Sequence, residues 1–114
     1  MQNIKIKDIT NSHRAISAVD GDLVFNQVVA SFENKEPVTL DFEGIDLTIT
    51  AFLNSSIGKL YSKFSTETIR ELLDIKNLSQ DELPLLKLVI ERAKERFGKN
   101  YPTDLDRIDV VNED

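Results

Sequence analysis

Asp41 and Glu43 are carboxylates two residues apart in the run Val38-Thr39-Leu40-Asp41-Phe42-Glu43-Gly44-Ile45. On an extended chain this spacing puts both on one face, where a pair of acids can do general acid–base work. Such work requires a desolvated partner from another segment, and one pair on one strand is more often a polar strand end. With Thr50, these are the residues that a small enzyme or small-ligand-binding domain would use. A second group follows them: Thr48, Thr50, Asn54, Ser55, Ser56 and Lys59, with Ser62 beyond. Most of these hydroxyls and amides lie off the apolar stripe Leu53, Ile57, Leu60 and Phe64. A helix start also favours a phosphate or carboxylate, through its free amides and its dipole. The group reads either as a solvated helix face or as a docking surface low in charge, as interface centres are.

The rest of the chain offers little chemistry. Cysteine is absent, which removes disulfides, thiol nucleophiles and thiolate metal sites. His13 is the one histidine, followed by Arg14 in a polar stretch. Gly44 and Gly58 build neither a Gly-x-Gly-x-x-Gly fingerprint nor a phosphate loop. Asp20-Gly21-Asp22 resembles the opening of a calcium loop, but Asn26-Gln27-Val28 follows where a closing glutamate belongs. Asp104, Asp106 and Asp109 would attract divalent cations only loosely. No cofactor and no metal are therefore expected.

With 114 residues, 40% hydrophobic and 30% charged, the chain suits one globular domain with a single core. A formal net charge of −6 argues against a nucleic-acid partner, which needs concentrated Lys and Arg. Charge is uneven: Lys5, Lys7 and Arg14 outnumber Asp8 at the start, while Asp104, Asp106, Asp109, Glu113 and Asp114 outnumber Arg107 at the end. This pattern predicts a domain over residues 1–100 and an acidic, solvated tail over 101–114. No apolar run nears the roughly 18 residues that span a bilayer. The first residues lack the basic stretch and apolar core of a secretory signal. A cytoplasmic location is the expectation.

These residues need elements to position them. Ile4 and Ile6 against Lys5 and Lys7 predict a strand over Asn3 to Ile9, with lysines that discourage edge pairing. Ala15 to Val19 reads as a second short strand. Asp20 or Asp22 would cap a helix carrying Phe25, Val28, Val29 and Phe32 at helical spacing, ended by Asn34-Lys35-Glu36-Pro37. Val38 to Ile45 is a half-buried strand, and Ala51 to Phe64 a helix. Ile69 to Asn77 is ambiguous between a capped helix and a strand. A strand over Leu72 to Asn77 is favoured, because it supplies a neighbour for Val38 to Ile45. Ser79-Gln80-Asp81-Glu82 starts a last helix with Leu86, Val89, Ile90, Ala93 and Phe97 along its stripe, Pro84 in its first or second turn and Gly98 as its C-terminal cap. Strands alternating with helices predict an α/β sandwich: a mixed, mostly parallel sheet of four to five strands with about three helices packed on it.

Leu40-Asp41-Phe42-Glu43-Gly44-Ile45, Ile49-Thr50-Ala51-Phe52-Leu53 and Ile57-Gly58-Lys59-Leu60, in this order and spacing, resemble the central strand, loop and helix of STAS domains. Val19-Asp20-Gly21-Asp22-Leu23 resembles the turn before the first STAS helix, and Leu72 to Ala93 its later strand and helix. The likeness covers residues 15 to 97 and is narrowest to the STAS-like family of unknown function. Related in fold are the bacterial anti-sigma factor antagonists. The resemblance implies a non-enzymatic regulatory module that docks a protein partner, a histidine-kinase-like ATPase or anti-sigma factor, through residues 48 to 59. In those antagonists a serine at the start of the second helix is phosphorylated. The matching position is Ala51, which leaves its neighbour Thr50 as a candidate phosphoacceptor or helix cap. A third expectation is a structural domain that assembles with itself through a sheet edge.

Overall fold

A computed structural model describes residues 2–97. The expectations for Gly98 and for residues 101–114 lie outside these. The first strand, β1 (Gln2–Lys5), is shorter than its alternation predicts, and Ile6–Thr10 forms the short helix α1. The reason lies in its neighbour. β1 pairs in parallel with β3 (Val38–Asp41) only from Gln2↔Val38 to Lys5↔Asp41. Past Lys5 there is no ladder, so the backbone satisfies itself in a helix. Asn11, at φ 52°, ends it in the left-handed region.

Arg14–Ala15 forms β2, so the expected second strand is shifted and shorter: Ile16 and Ser17 follow it outside any element, and Ala18 and Val19 already belong to α2 (Ala18–Glu33). Ser17 caps α2, its hydroxyl accepting from the amides of Val19 and Asp20 at 3.0 and 3.3 Å. Asp20, Gly21 and Asp22 therefore lie inside the helix, neither capping it nor forming a loop for a cation. Gly21, Val24, Val28 and Phe32 are buried, with Phe25 and Val29 partly so.

β3 is buried along its length because it is the central strand of a parallel sheet in the order β1-β3-β5, where β5 is Leu73–Lys76. Val38 and Leu40 point into the core, as does Phe42 just past the strand, where its ring meets Phe52 edge-on at 6.3 Å. The opposite face carries two polar rows across the three strands, Asn3-Thr39-Asp74 and Lys5-Asp41-Lys76. A second parallel sheet pairs β2 with β4 (Leu47–Thr48). Among the described residues, two small parallel sheets stand where a single mixed sheet was expected, and five helices where about three were expected. After Asp41 the chain turns through Gly44, at φ 83°, before it reaches β4. That turn separates the sheets.

Thr39 is buried and its hydroxyl finds no partner among the described residues. A desolvated, unpaired hydroxyl is unfavourable, and Val has the same shape with higher strand preference. Thr39→Val should therefore raise stability by about 1 kcal/mol, read as a higher urea midpoint at unchanged slope. A lower midpoint would mean that the hydroxyl is paired.

The predicted helix over 51 to 64 is realised as α3 (Thr50–Ser56) followed by a 3₁₀ turn, Gly58–Ser62. Leu53, Ile57, Leu60 and Tyr61 keep the buried stripe. The ambiguous stretch holds both structures. Ser65 caps α4 (Thr66–Leu72), accepting from the Thr68 amide at 3.1 Å, and β5 follows at once. The strand supplies the neighbour β3 requires without excluding the helix. Ser79 accepts from the Asp81 amide at 3.2 Å in a 3₁₀ turn leading into α5 (Leu83–Phe97). Pro84 sits in the first turn of α5, where its missing amide costs little, and Leu86, Val89 and Ala93 are buried.

Candidate functional site

The crossing of α2 over α3 builds the site. It is close because Gly21 has no side chain: a Cβ there would stand 1.8 Å from Ser55 Oγ and 2.8 Å from the Phe52 carbonyl. Ser55 and Ser56 both donate to that carbonyl, at 3.2 and 2.7 Å. Ser55 is half-buried against Gly21 and Ser56 is fully buried. The crossing also brings Lys59 to Asp22, with Nζ 2.6 Å from Oδ1 and 4.5 Å from the centre of the Phe25 ring. Both charged groups are partly exposed, so the pair sets geometry more than stability.

Of the residues expected on this surface, Asn54 is exposed and Lys59 half-exposed. Thr50, the first residue of α3, is half-buried, and the helix is capped at Ile49 without a side-chain bond, so Thr50 does not cap it. Thr48 is only 2% exposed. Its hydroxyl donates to the Ala15 carbonyl at 2.8 Å, and its amide donates to Glu82 at 2.7 Å. Thr48 and Ser56 therefore support the surface from inside the fold. They do not form part of it.

The carboxylate pair separates in the structure. Asp41 is buried at the end of β3, where one carboxylate oxygen accepts from Asn77 Nδ2 at 2.8 Å and from the Glu43 amide at 3.0 Å. The Asn77 bond, then the Glu43 amide, hold its pKa below the usual value against the opposing effect of burial; Lys5 and Lys76 add to the lowering. A carboxylate so held binds a proton poorly, which suits a structural clamp better than a general base. Glu43 is exposed. His13 is exposed in a loop, its Nδ1 3.3 Å from the Gly44 carbonyl.

Two features of the site draw on residues outside the expected surface. One is a pocket of about 450 Å³ between α3, the following 3₁₀ turn and α5, with Asn54, Ser55 and Lys59 on one side and Arg92, Arg96 and Phe97 on the other. The four-residue spacing of Arg92 and Arg96 places them on one helix face, which is visible in the sequence; that this face meets Lys59 is not. The other is apolar exposure. Ile16, Val19, Leu23, Leu47 and Ile49 remain exposed, Val19 to 70%. Val19 and Leu23 share a face of α2, and Leu47, in β4 beside β2, and Ile49, just past that strand, flank Thr48. Ala18, adjacent to Val19, and Ala51, two residues past Ile49, line the pocket.

A family model described as a STAS-like domain of unknown function (DUF4325) matches residues 20–83, more than half of the chain. The chain belongs to this STAS-like family. The matched stretch runs from the first turn of α2 to the start of α5, so it holds Asp22, Asn54 and Lys59 and stops before Arg92 and Arg96. No curated protein and no solved structure matches the chain. Among the described residues, no helix is long and apolar enough to cross a membrane.

Proposed function

We propose that this STAS-like protein is a non-enzymatic regulatory module that docks a protein partner through the α2–α3 face. The observation that carries the reading is the exposure of the apolar residues Ile16, Val19, Leu23, Leu47 and Ile49, two of them, Val19 and Leu23, on α2, the helix that also carries Asp22 of the Lys59–Asp22 pair. Apolar side chains surrounded by polar ones are the usual composition of a docking surface. By analogy with anti-sigma factor antagonists, the partner is a histidine-kinase-like ATPase and the setting is the bacterial cytoplasm, an inference from family and fold alone. Ala51 has no hydroxyl to phosphorylate, so Thr50 is the remaining candidate acceptor at this junction. Self-assembly through a sheet edge is the weaker reading, since Lys5 and Lys76 stand on the two edge strands and charge there opposes further pairing.

Co-purification of the full chain from its native host tests the proposal. An ATPase-like protein should be recovered, and Val19→Asp and Lys59→Glu should each weaken its binding about tenfold or more. Both positions are exposed enough to leave the fold intact, which circular dichroism of the variants checks. Ser55 is a poor probe, because a larger residue there would strike Gly21. Free monomer in the wild-type preparation, with both variants behaving identically, would overturn the docking reading.

A further inference from the structure

The geometry points to the pocket between α3 and α5 as a binding site for a small organic oxyanion, a carboxylate or phosphate monoester carried on a compact, flat apolar body. Its volume of about 450 Å³ lies within the range of small-molecule sites. The lining holds three cations, Lys59, Arg92 and Arg96, and no acidic side chain. This inverts the charge of the chain as a whole, whose formal net charge is −6. Lys59 is already engaged by Asp22 at 2.6 Å. No carboxylate of the described residues forms an ion pair with Arg92 or Arg96, so the two guanidiniums are available. Guanidinium is the side chain best matched to the paired oxygens of a carboxylate or phosphate. Asn54 and Ser55, on the facing helix, add an amide and a hydroxyl to the lining.

The other half of the recognition is apolar. Ala51, Gly58 and Ala93 are small residues that leave the volume open. Phe97 closes one side, with the Arg96 guanidinium 5.8 Å from its ring centre. An aromatic ring beside a cation suits a flat ligand bearing negative charge. Arg92 and Arg96 lie on α5 beyond the residues matched by the family model, so the guanidinium half of the site lies outside the matched stretch.

The test is an amide NMR titration of the full chain with phenyl phosphate, benzoate, benzyl alcohol and inorganic phosphate. Saturable shifts centred on Asn54, Ser55, Lys59 and Ala93 are expected with phenyl phosphate or benzoate, and the tighter of the two identifies the oxyanion. Benzyl alcohol, which lacks the charge, and inorganic phosphate, which lacks the ring, should each bind about tenfold or more weakly. The double variant Arg92→Gln/Arg96→Gln should lose at least as much while keeping the wild-type spectrum elsewhere. Both side chains are exposed, so the fold does not depend on them. Absence of saturable shifts, equal binding by the neutral alcohol or by bare phosphate, or an unchanged response in the double variant would each overturn the assignment.

Discussion

Gly21→Ala is expected to destabilise the protein by about 3 kcal/mol, the upper part of the range for overpacking a close contact. The sign is informative, because in an open helix interior the same change stabilises by about 1 kcal/mol. Here the added methyl would meet Ser55 Oγ at 1.8 Å and the Phe52 carbonyl at 2.8 Å. Ser55 could rotate away. The carbonyl cannot, because it belongs to the backbone of α3, so the two helices must separate. Urea unfolding should show a reduced midpoint with the slope retained. Adding Ser55→Ala to Gly21→Ala should restore only part of the loss, since the carbonyl remains. Gly58→Ala is the internal comparison. Its nearest neighbours are the side chains of Val89, at 3.3 Å, and Asn54, at 3.4 Å. These can yield, and the change should stay within about 1 kcal/mol. A neutral or stabilising Gly21→Ala would show that α2 and α3 do not cross this closely.

Asp41→Asn should lower stability by about 2 kcal/mol at neutral pH, the scale of hydrogen bonds to a charged group. One oxygen of Asp41 gathers Asn77 from the end of β5 and the Glu43 amide from the turn after β3. Its cross-strand neighbours on both sides, Lys5 and Lys76, are cationic. Asn77 adopts φ 62°, a left-handed conformation that asparagine tolerates well. The carboxylate therefore fastens the central strand to the turn and to its neighbour. Its pKa is lowered on folding, chiefly by Asn77 and the Glu43 amide. The stability it contributes is thus complete above the unfolded carboxylate value of about 3.9 and is lost as pH falls through the lower folded value. The gap between wild type and Asp41→Asn should be constant from pH 7 to pH 5 and shrink below pH 4. Unfolding curves at several pH values measure it directly. A gap that stays flat into acid, or a variant as stable as wild type, would remove Asp41 from this role.

Much of the architecture is legible in local pattern. The alternation from Val38 to Glu43 marks the central strand, and the stripes of α2 and α5 are visible as apolar spacing. The order of Leu40 to Ile45, Ile49 to Leu53 and Ile57 to Leu60 carries the family. These signals survive because a strand or helix that buries one face must show it within a few residues. Boundaries were less legible. Ser17, Asp20 and Asp22 are all competent caps, and only the docking of α2 on α3 through Gly21 selects Ser17. Ile4 and Ile6 alternate correctly for a longer strand, yet β1 stops where its pairing with β3 stops.

The polar residues divide in the same way. Asn54 and Lys59 could be placed on the surface from helix spacing alone. Thr48 and Ser56 could not be placed inside, because their burial depends on the Ala15 carbonyl, on Glu82 and on the Phe52 carbonyl beneath α2. Sequence by itself determined the alternating α/β class and the position of the strand-to-helix junction, both written in short-range periodicity, while the ordered segments from Leu40 to Leu60 carry the resemblance to the family. Tertiary structure alone decided that Asp41 is a clamp, that Asp22 meets Lys59, and that Arg92 and Arg96 face Asn54 across a pocket. Those pairs are separated by 36 to 42 residues in the chain, and contacts at that range follow from how elements pack, which no local pattern encodes.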